Sequence, residues 1–196
     1  MKTDPVIALS GPRCCGKSTI AEHLVNQHGY TSLAFADALR QIASVGGQEF
    51  ANDRMYLARL GEKLRQLMPE FMLEVVRNRL ETIDGPVVIE DVRFPSEVAF
   101  ARDVGATLIR LEIPVEEQLN RLAQRDGTTG QDAEELIECM DELALVDVID
   151  WNHVIDAVGD FKELATTLHE LAEKPLYELK NHSSTMDRQH SQEVFL

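Results

Sequence analysis

Two glycines, a lysine and two hydroxyls stand together in Gly11-Pro12-Arg13-Cys14-Cys15-Gly16-Lys17-Ser18-Thr19, just after the apolar run Val6-Ile7-Ala8-Leu9. The chemistry this spacing serves is phosphate binding. The glycines allow a tight backbone turn whose N–H groups point inward, at a place where the start of a helix adds partial positive charge. Lys17 is then expected to reach the terminal phosphates, and Ser18 to offer its hydroxyl to Mg²⁺. Gly-rich turns also join strands to helices without binding anything, but here all the fixed positions and the strand and helix context agree.

Other charged residues fall at helical or strand-end spacing further along. Asp37 and Arg40 are three apart and share one face at the start of a helix, where an acid beside a guanidinium suits a phosphate acceptor. The plainer alternative is a helix-start aspartate with a surface arginine. Asp91 and Arg93 follow the buried-strand pattern Val87-Val88-Ile89, and the carboxyl end of a parallel strand is where open α/β sheets bind ligands. There Asp91 could hold a water on Mg²⁺ and Arg93 could grip a phosphate with both of its N–H arms. Arg121 and Arg125, four apart, suit a nucleotide whose base stacks on one guanidinium while the other meets phosphate. Arg65, on a stripe made by Leu57, Leu60, Leu64 and Leu67, is the one arginine of that region assigned to an anionic substrate.

The elements that must position these groups are read from periodicity. A strand over the Val6 run is followed by a helix carrying Ile20, Ala21, Leu24 and Val25, which Gly29 stops. Thr31 to Phe35 reads as a second strand. Residues 45–84 form a helical insert, broken at Val45-Gly46-Gly47, reopened after Pro69 along Phe71, Met72, Val75, Val76 and Leu80, and closed by Gly85-Pro86. Ala106 to Ile113 is a further strand, and Pro114 opens a helix with Val115, Leu119 and Leu122 facing inward. Residues 126–132 look like a short lid, then Asp132 and Glu135 form a capping box for a helix on which Leu136, Met140, Leu143 and Ala144 are the buried side. His153 to Val158 is the last strand, and Asp160 with Glu163 caps a helix bearing Phe161, Leu164, Leu168 and Leu171. Residues 175–196 read as a polar tail. Alternating strands and helices imply an α/β fold with a parallel sheet of about five strands and a site at their carboxyl ends.

The whole chain narrows the function classes. Its 196 residues, 44% of them hydrophobic, suffice for one core. A formal charge of −15 argues against broad electrostatic binding to nucleic acid or an anionic membrane, so basic groups for an anionic ligand must be local. No run is long enough for a membrane span and no signal peptide is expected. Cys14, Cys15 and Cys139 lack metal-ligand spacing and make a poor disulfide framework, which fits a reducing cytoplasm. Oligomeric state is not encoded in any pattern found.

The order of phosphate loop, Asp37-x-x-Arg40, helical insert, strand with Asp91-x-Arg93, Arg121-x-x-x-Arg125 and short lid resembles the P-loop nucleoside monophosphate kinases over roughly residues 5 to 173. Ala36-Asp37-Ala38-Leu39-Arg40 looks like a stretch of adenylate kinases. Glu90-Asp91-Val92-Arg93-Phe94-Pro95-Ser96-Glu97, with Phe35-Ala36-Asp37 and Leu60-Gly61-Glu62-Lys63-Leu64-Arg65, is closer to phage-type deoxynucleoside monophosphate kinases. The resemblance implies a three-layer P-loop kinase fold, with residues 1–174 as the kinase domain, and ATP- and Mg²⁺-dependent transfer to a (deoxy)nucleoside monophosphate. It implies ATP contacts from Gly11, Arg13, Cys14, Cys15, Gly16, Lys17, Ser18 and Thr19, with Arg121 near the donor base and Arg125 on donor phosphate. Arg40 and Arg93 would hold the acceptor phosphate, and Asp37 and Asp91 would order the metal's waters.

Other readings stay open at this level. A P-loop kinase of a hydroxyl acceptor such as dephospho-coenzyme A would use Asp37 as general base. No lysine or arginine occurs between Arg125 and Lys162, while Asp132, Glu134, Glu135, Glu138, Asp141 and Glu142 crowd one segment, read as a solvated acidic helix. A lid so bare of cations also motivates a non-catalytic nucleotide-binding protein. Cys14 and Cys15 either simply fit the loop or, as thiols at a helix N-terminus, make it sensitive to oxidation.

Overall fold

Val6 and Ala8 of strand β1 (Val6–Ser10) join one buried cluster and Ile7 and Leu9 join another, so the strand is apolar on both faces and must lie at the centre of the sheet. The computed structural model describes residues 4–127, 129–137, 144–145 and 150–173, with the side chains of Arg54, Asp126 and Leu136 set aside. In it β1 pairs in parallel with both β3 (Val87–Val92) and β4 (Thr107–Glu112). With β2 (Thr31–Leu33) beside β3 and β5 (His153–Asp156) beside β4, the five-stranded order is β2-β3-β1-β4-β5.

Helices cover both faces. Ile20 and Leu24 of α1 (Lys17–His28) and Ala165 and Leu168 of the last described helix pack with Ile7, Leu9, Val88, Ile109 and Leu111. On the other face, Val6, Ala8, Val87, Ile89 and Leu108 meet Leu39 of α2 (Ala36–Ser44), Met72, Val76 and Leu80 of a helix of the insert, and Val98 and Phe100 of a helix following β3. In chain order the remaining helices are α3 (Gln48–Asn52), α4 (Arg54–Leu67), α5 (Phe71–Thr82), α6 (Pro95–Asp103), α7 (Val115–Asp126), α8 (Gln131–Ile137) and α9 (Phe161–Glu173). The result is the expected three-layer α/β P-loop kinase fold.

Several local expectations are corrected. Strand β2 stops at Leu33, because Asp91 draws the N–H groups of Phe35 and Ala36 to itself (2.8 and 3.1 Å) and so starts α2 there. Val115 is exposed in the first turn of α7, and Gln118 and Leu122 take the inward positions. Leu67 is exposed at the end of α4, and Leu73 joins the inner face of α5. Asp132 is not the cap of α8: the Gly130 carbonyl accepts from Ala133 and Glu134, leaving Asp132 inside the first turn. Asp160 does cap α9, accepting from the Lys162 N–H at 2.7 Å. Thr128 of the lid, Glu138 to Leu143 of the acidic segment, with Cys139 and Met140 among them, and the tail lie outside the described residues.

Candidate active site

The loop between β1 and α1 takes its shape from positive φ at Gly11 (148°), Cys14 (63°) and Gly16 (104°). At Gly11 a Cβ would stand 2.6 Å from the Leu111 carbonyl oxygen on β4, so this glycine permits packing of the loop on the sheet. At Gly16 it would stand 2.5 Å from the Phe161 ring, which closes against the loop from the start of α9. Lys17 donates from Nζ to the carbonyls of Gly11 (2.7 Å) and Pro12 (2.9 Å) and lies 3.7 Å from Cys15 Sγ. Its ammonium is thereby held across the loop's mouth.

Around that mouth lies a cavity of about 330 Å³, lined by Arg13, Cys14, Gly16 to Thr19, Arg93, Arg121, Arg125 and Phe161. Five of these side chains are cationic, a local positive field in an acidic chain. Arg121 is tied down by Glu117 (Nε to Oε1, 2.7 Å) and by the carbonyls of Cys15 and Ala157 (3.4 and 3.2 Å), with its guanidinium 5.1 Å from the Phe161 ring centre. It braces the loop against α7 and the turn after β5 while lining the cavity.

A second cavity, about 580 Å³, opens on the other side of Lys17 and Ser18 towards the insert. Arg13, Lys17, Ser18, Arg93 and Arg125 line both spaces, and Ala34, Ala36, Arg40, Leu57, Ala58, Glu90 and Asp91 complete the second. A smaller cleft of about 130 Å³ adjoins it, lined in part by Arg65, Arg93, Asp91 and Glu97.

Asp91 and Arg93 thus come to the centre, Arg40 lies in the second cavity, and Arg65 lies in the cleft. Cys14 and Thr19 line the first cavity, whereas the Cys15 side chain is fully buried in the core, so only its backbone faces the loop's ligand side. Gly11 and Asp37 line none of the three spaces. Asp37 accepts from the Ala34 N–H (3.2 Å) and pairs with Arg40 (2.9 Å) and Arg79 (3.6 Å). Arg79 reaches Asp37 from α5, a contact no local sequence pattern signals.

Three further residues enter the site without a role assigned from the sequence, although Glu90 and Glu97 lie at the two ends of the stretch that carries the resemblance. Phe161 carries no local signal distinguishing it from an inward helix residue. Glu90 accepts from the Ser32 hydroxyl (2.6 Å) and reaches the second cavity beside Asp91. Glu97, buried, accepts with Oε2 from the N–H groups of Arg93 (2.7 Å) and Phe94 (3.1 Å), and its place three residues after Phe94 is the offset of a capping box. Desolvation raises the pKa of Asp91 and of Glu97, the latter to about 8 with Asp91 adding repulsion, while the backbone hydrogen bonds to each carboxylate oppose the shift.

Hard oxygen groups for Mg²⁺ are at hand in Ser18, Asp91 and Glu90 around one cavity. Among the described residues no cluster of three His, Cys, Asp or Glu could hold an ion alone. The donor set therefore fits an ion that takes most of its ligands from phosphates and water. Also among the described residues, no helix is long and apolar enough to cross a membrane.

Residues 7–158 match the family model described as an AAA domain. A cytidylate kinase of Ignicoccus hospitalis is 32% identical over 70% of this chain and 74% of its own length. An adenylate kinase of Synechococcus is 30% identical over 65% of this chain and 71% of its own. Among solved structures, a shikimate kinase from Acinetobacter baumannii shares the fold, with a TM-score of 0.53 at 21% identity, over 87% of this chain and 93% of that one. The phosphate loop, the sheet order and these relatives agree: the chain belongs to the AAA domain family and is a P-loop kinase with nucleoside monophosphate kinases among its relatives.

Proposed function

We propose that the protein transfers the terminal phosphoryl group of ATP to a nucleoside monophosphate, giving the diphosphate. The observation that carries this reading is the sharing of Arg13, Lys17, Ser18, Arg93 and Arg125 between two cavities. A phosphoryl group passing from a donor in the first to an acceptor in the second would be surrounded by these groups throughout. Phosphoryl transfer needs positioning and charge neutralisation more than covalent help, and a monophosphate acceptor is already ionised.

In this reading the loop N–H groups and Lys17 hold the donor phosphates, Arg121 and Phe161 flank the donor nucleotide, and Arg125 meets its phosphate. Arg93 and Arg40 hold the acceptor phosphate, and Arg13 neutralises charge between the two. Bound Mg²⁺ would supply charge neutralisation across the donor phosphates, with Ser18 as a direct ligand and Asp91, joined by Glu90, holding its waters. Because both Asp91 oxygens already accept backbone N–H groups, only their remaining lone pairs serve that task. A hydroxyl kinase would need Asp37 as its base, and the pairing of Asp37 with Arg40 and Arg79, away from both cavities, favours the monophosphate reading over it. The acceptor is a ribo- or deoxyribonucleoside monophosphate, and the reading places the protein in a reducing cytoplasm.

The test is an acceptor panel. The full-length protein is incubated with ATP, Mg²⁺ and each ribo- and deoxyribonucleoside monophosphate, with dephospho-coenzyme A alongside, and products are identified. A nucleoside diphosphate formed in equal amount with ADP supports the reading. Transfer only to dephospho-coenzyme A, or tight ATP binding with no product, overturns it.

A further inference from the structure

Helices α1 and α9 lie side by side, and both begin at the phosphate loop, where the Phe161 ring closes on Gly16. Along the seam between them, Ile20, Ala21 and Leu24 of α1 and Ala165 and Leu168 of α9 are at most 1% exposed and share one apolar cluster. These contacts do not titrate. The far ends of the two helices meet differently, through His28 and His169, whose ring centres are 4.2 Å apart. An ordinary imidazole takes a proton at about pH 6.5, so this end of the seam responds to acid.

The surroundings of the pair accommodate one proton better than two. Nε2 of His28 is buried and has no hydrogen-bond partner among the described residues, so a charged ring would gain no acceptor at that atom. Tyr30, placed by the Gly29 turn that ends α1, stands edge-on to His169 at 5.8 Å, with its hydroxyl 3.3 Å from Nδ1. Burial pushes the Tyr30 phenol up to about 12, so it faces the pair uncharged. Glu173, 3.6 Å from His169 Nε2, and Glu170 are the acids that act on the pair. Desolvation first, and then the charge of His169, hold His28 below the ordinary histidine range against the pull of those two acids.

We propose that the His28–His169 contact is an acid-sensitive clamp: neutral or singly protonated, it holds α9 and hence Phe161 against α1 and the phosphate loop, and a second proton parts the helix ends and weakens nucleotide binding. Helix α9 is a rod of 13 residues, so displacement at His169 tilts Phe161, ~12 Å away along the axis. The inference needs nucleotide binding by the loop and is independent of which acceptor is phosphorylated. The folded protein takes up the His28 proton less readily than the unfolded chain. The clamp's contribution to stability is therefore complete above about pH 6.5 and is lost as pH falls through the lower, folded-state value.

The test uses the full-length protein. Affinity for ATP with saturating Mg²⁺ is measured by calorimetry at pH 7.5 and 5.5 for wild type, His28→Gln and His169→Gln, and comparison between proteins cancels the nucleotide's own titration. Wild-type affinity should fall between the two pH values at least threefold more than that of either variant. The histidine ring signals of the wild type are also followed by NMR through this range, with and without ATP and Mg²⁺. Coupling between proton and nucleotide is reciprocal, so nucleotide should lower the titration midpoint of His28, by about half a pH unit for a threefold effect. Equal acid sensitivity in all three proteins, or a midpoint that nucleotide leaves in place, would overturn the clamp and leave the kinase reading intact. If neither variant folds, the wild-type titration decides. A lowered midpoint without turnover of any acceptor would support the clamp and overturn the kinase.

Discussion

The first cavity takes most of its lining, Arg13, Cys14, Gly16, Lys17, Ser18 and Thr19, from one continuous loop, whereas the second adds groups from three separated segments, at 34–40, 57–58 and 90–93. On the loop, these groups are placed chiefly by local backbone conformation, with positive φ at Gly11, Cys14 and Gly16 and the first turn of α1. On the insert side, placement depends on tertiary contacts, such as the Asp91 carboxylate that starts α2 from a neighbouring strand. Damage to the loop should therefore stop catalysis outright, while damage to the insert side should act through acceptor affinity and stability.

Lys17→Ala should have the largest effect. It removes the one ammonium in the loop's mouth, and turnover should fall about 10³-fold or more while circular dichroism stays native. Turnover retained within tenfold would break the assignment of the loop. Gly16→Ala comes next, since the new Cβ meets Phe161 at 2.5 Å and the φ of 104° disfavours any side chain. Strain of about 1–3 kcal/mol should lower the melting temperature and weaken ATP binding by roughly tenfold or more. Adding Phe161→Ala should recover part of the packing loss, and a purely additive double mutant would show that the ring is not the obstacle.

Glu97→Gln examines the insert side through pH. Burial raises the Glu97 pKa to about 8 in the folded protein from an ordinary 4.5, so the native state binds the extra proton between those values and stability falls as pH rises through that window. Above about pH 8 the buried charge costs of the order of a few kcal/mol, which the amide avoids. Urea midpoints at pH 6 and 9 should show the variant losing less stability than wild type across the interval; parallel losses would remove Glu97 as the cause. Arg40→Ala should be the mildest. Its ion pair with Asp37 is largely exposed and worth at most about 1 kcal/mol, so stability should hardly move while KM for the acceptor rises about three- to tenfold.

The same contrast explains what could be read from the sequence. Residues 11–19 declared their task because the motif's groups stand in consecutive residues, and the unbroken apolar run Val6 to Leu9 marked a strand buried on both faces. Asp91 and Arg93 were legible as strand-end residues. That the Asp91 oxygens would be taken by Phe35 and Ala36, that Asp37 would be shared between Arg40 and Arg79, and that Cys15 would turn into the core all depend on packing between segments far apart in the chain. Phe161 was invisible as a site residue for the same reason: only the folded turn after β5 brings it against Gly16. Val115 was misplaced because a helical pattern says nothing of where its first turn projects beyond the sheet.

In the proposed reaction a phosphoryl group crosses the boundary shared by the two cavities, and Arg93 lines both of them and the adjoining cleft. The most direct measurement is turnover of Arg93→Gln with the best acceptor of the panel, alongside ATP affinity by calorimetry. Turnover should fall about 10²-fold or more, with ATP affinity changed less than about threefold. Wild-type turnover in that variant would contradict the proposed reaction.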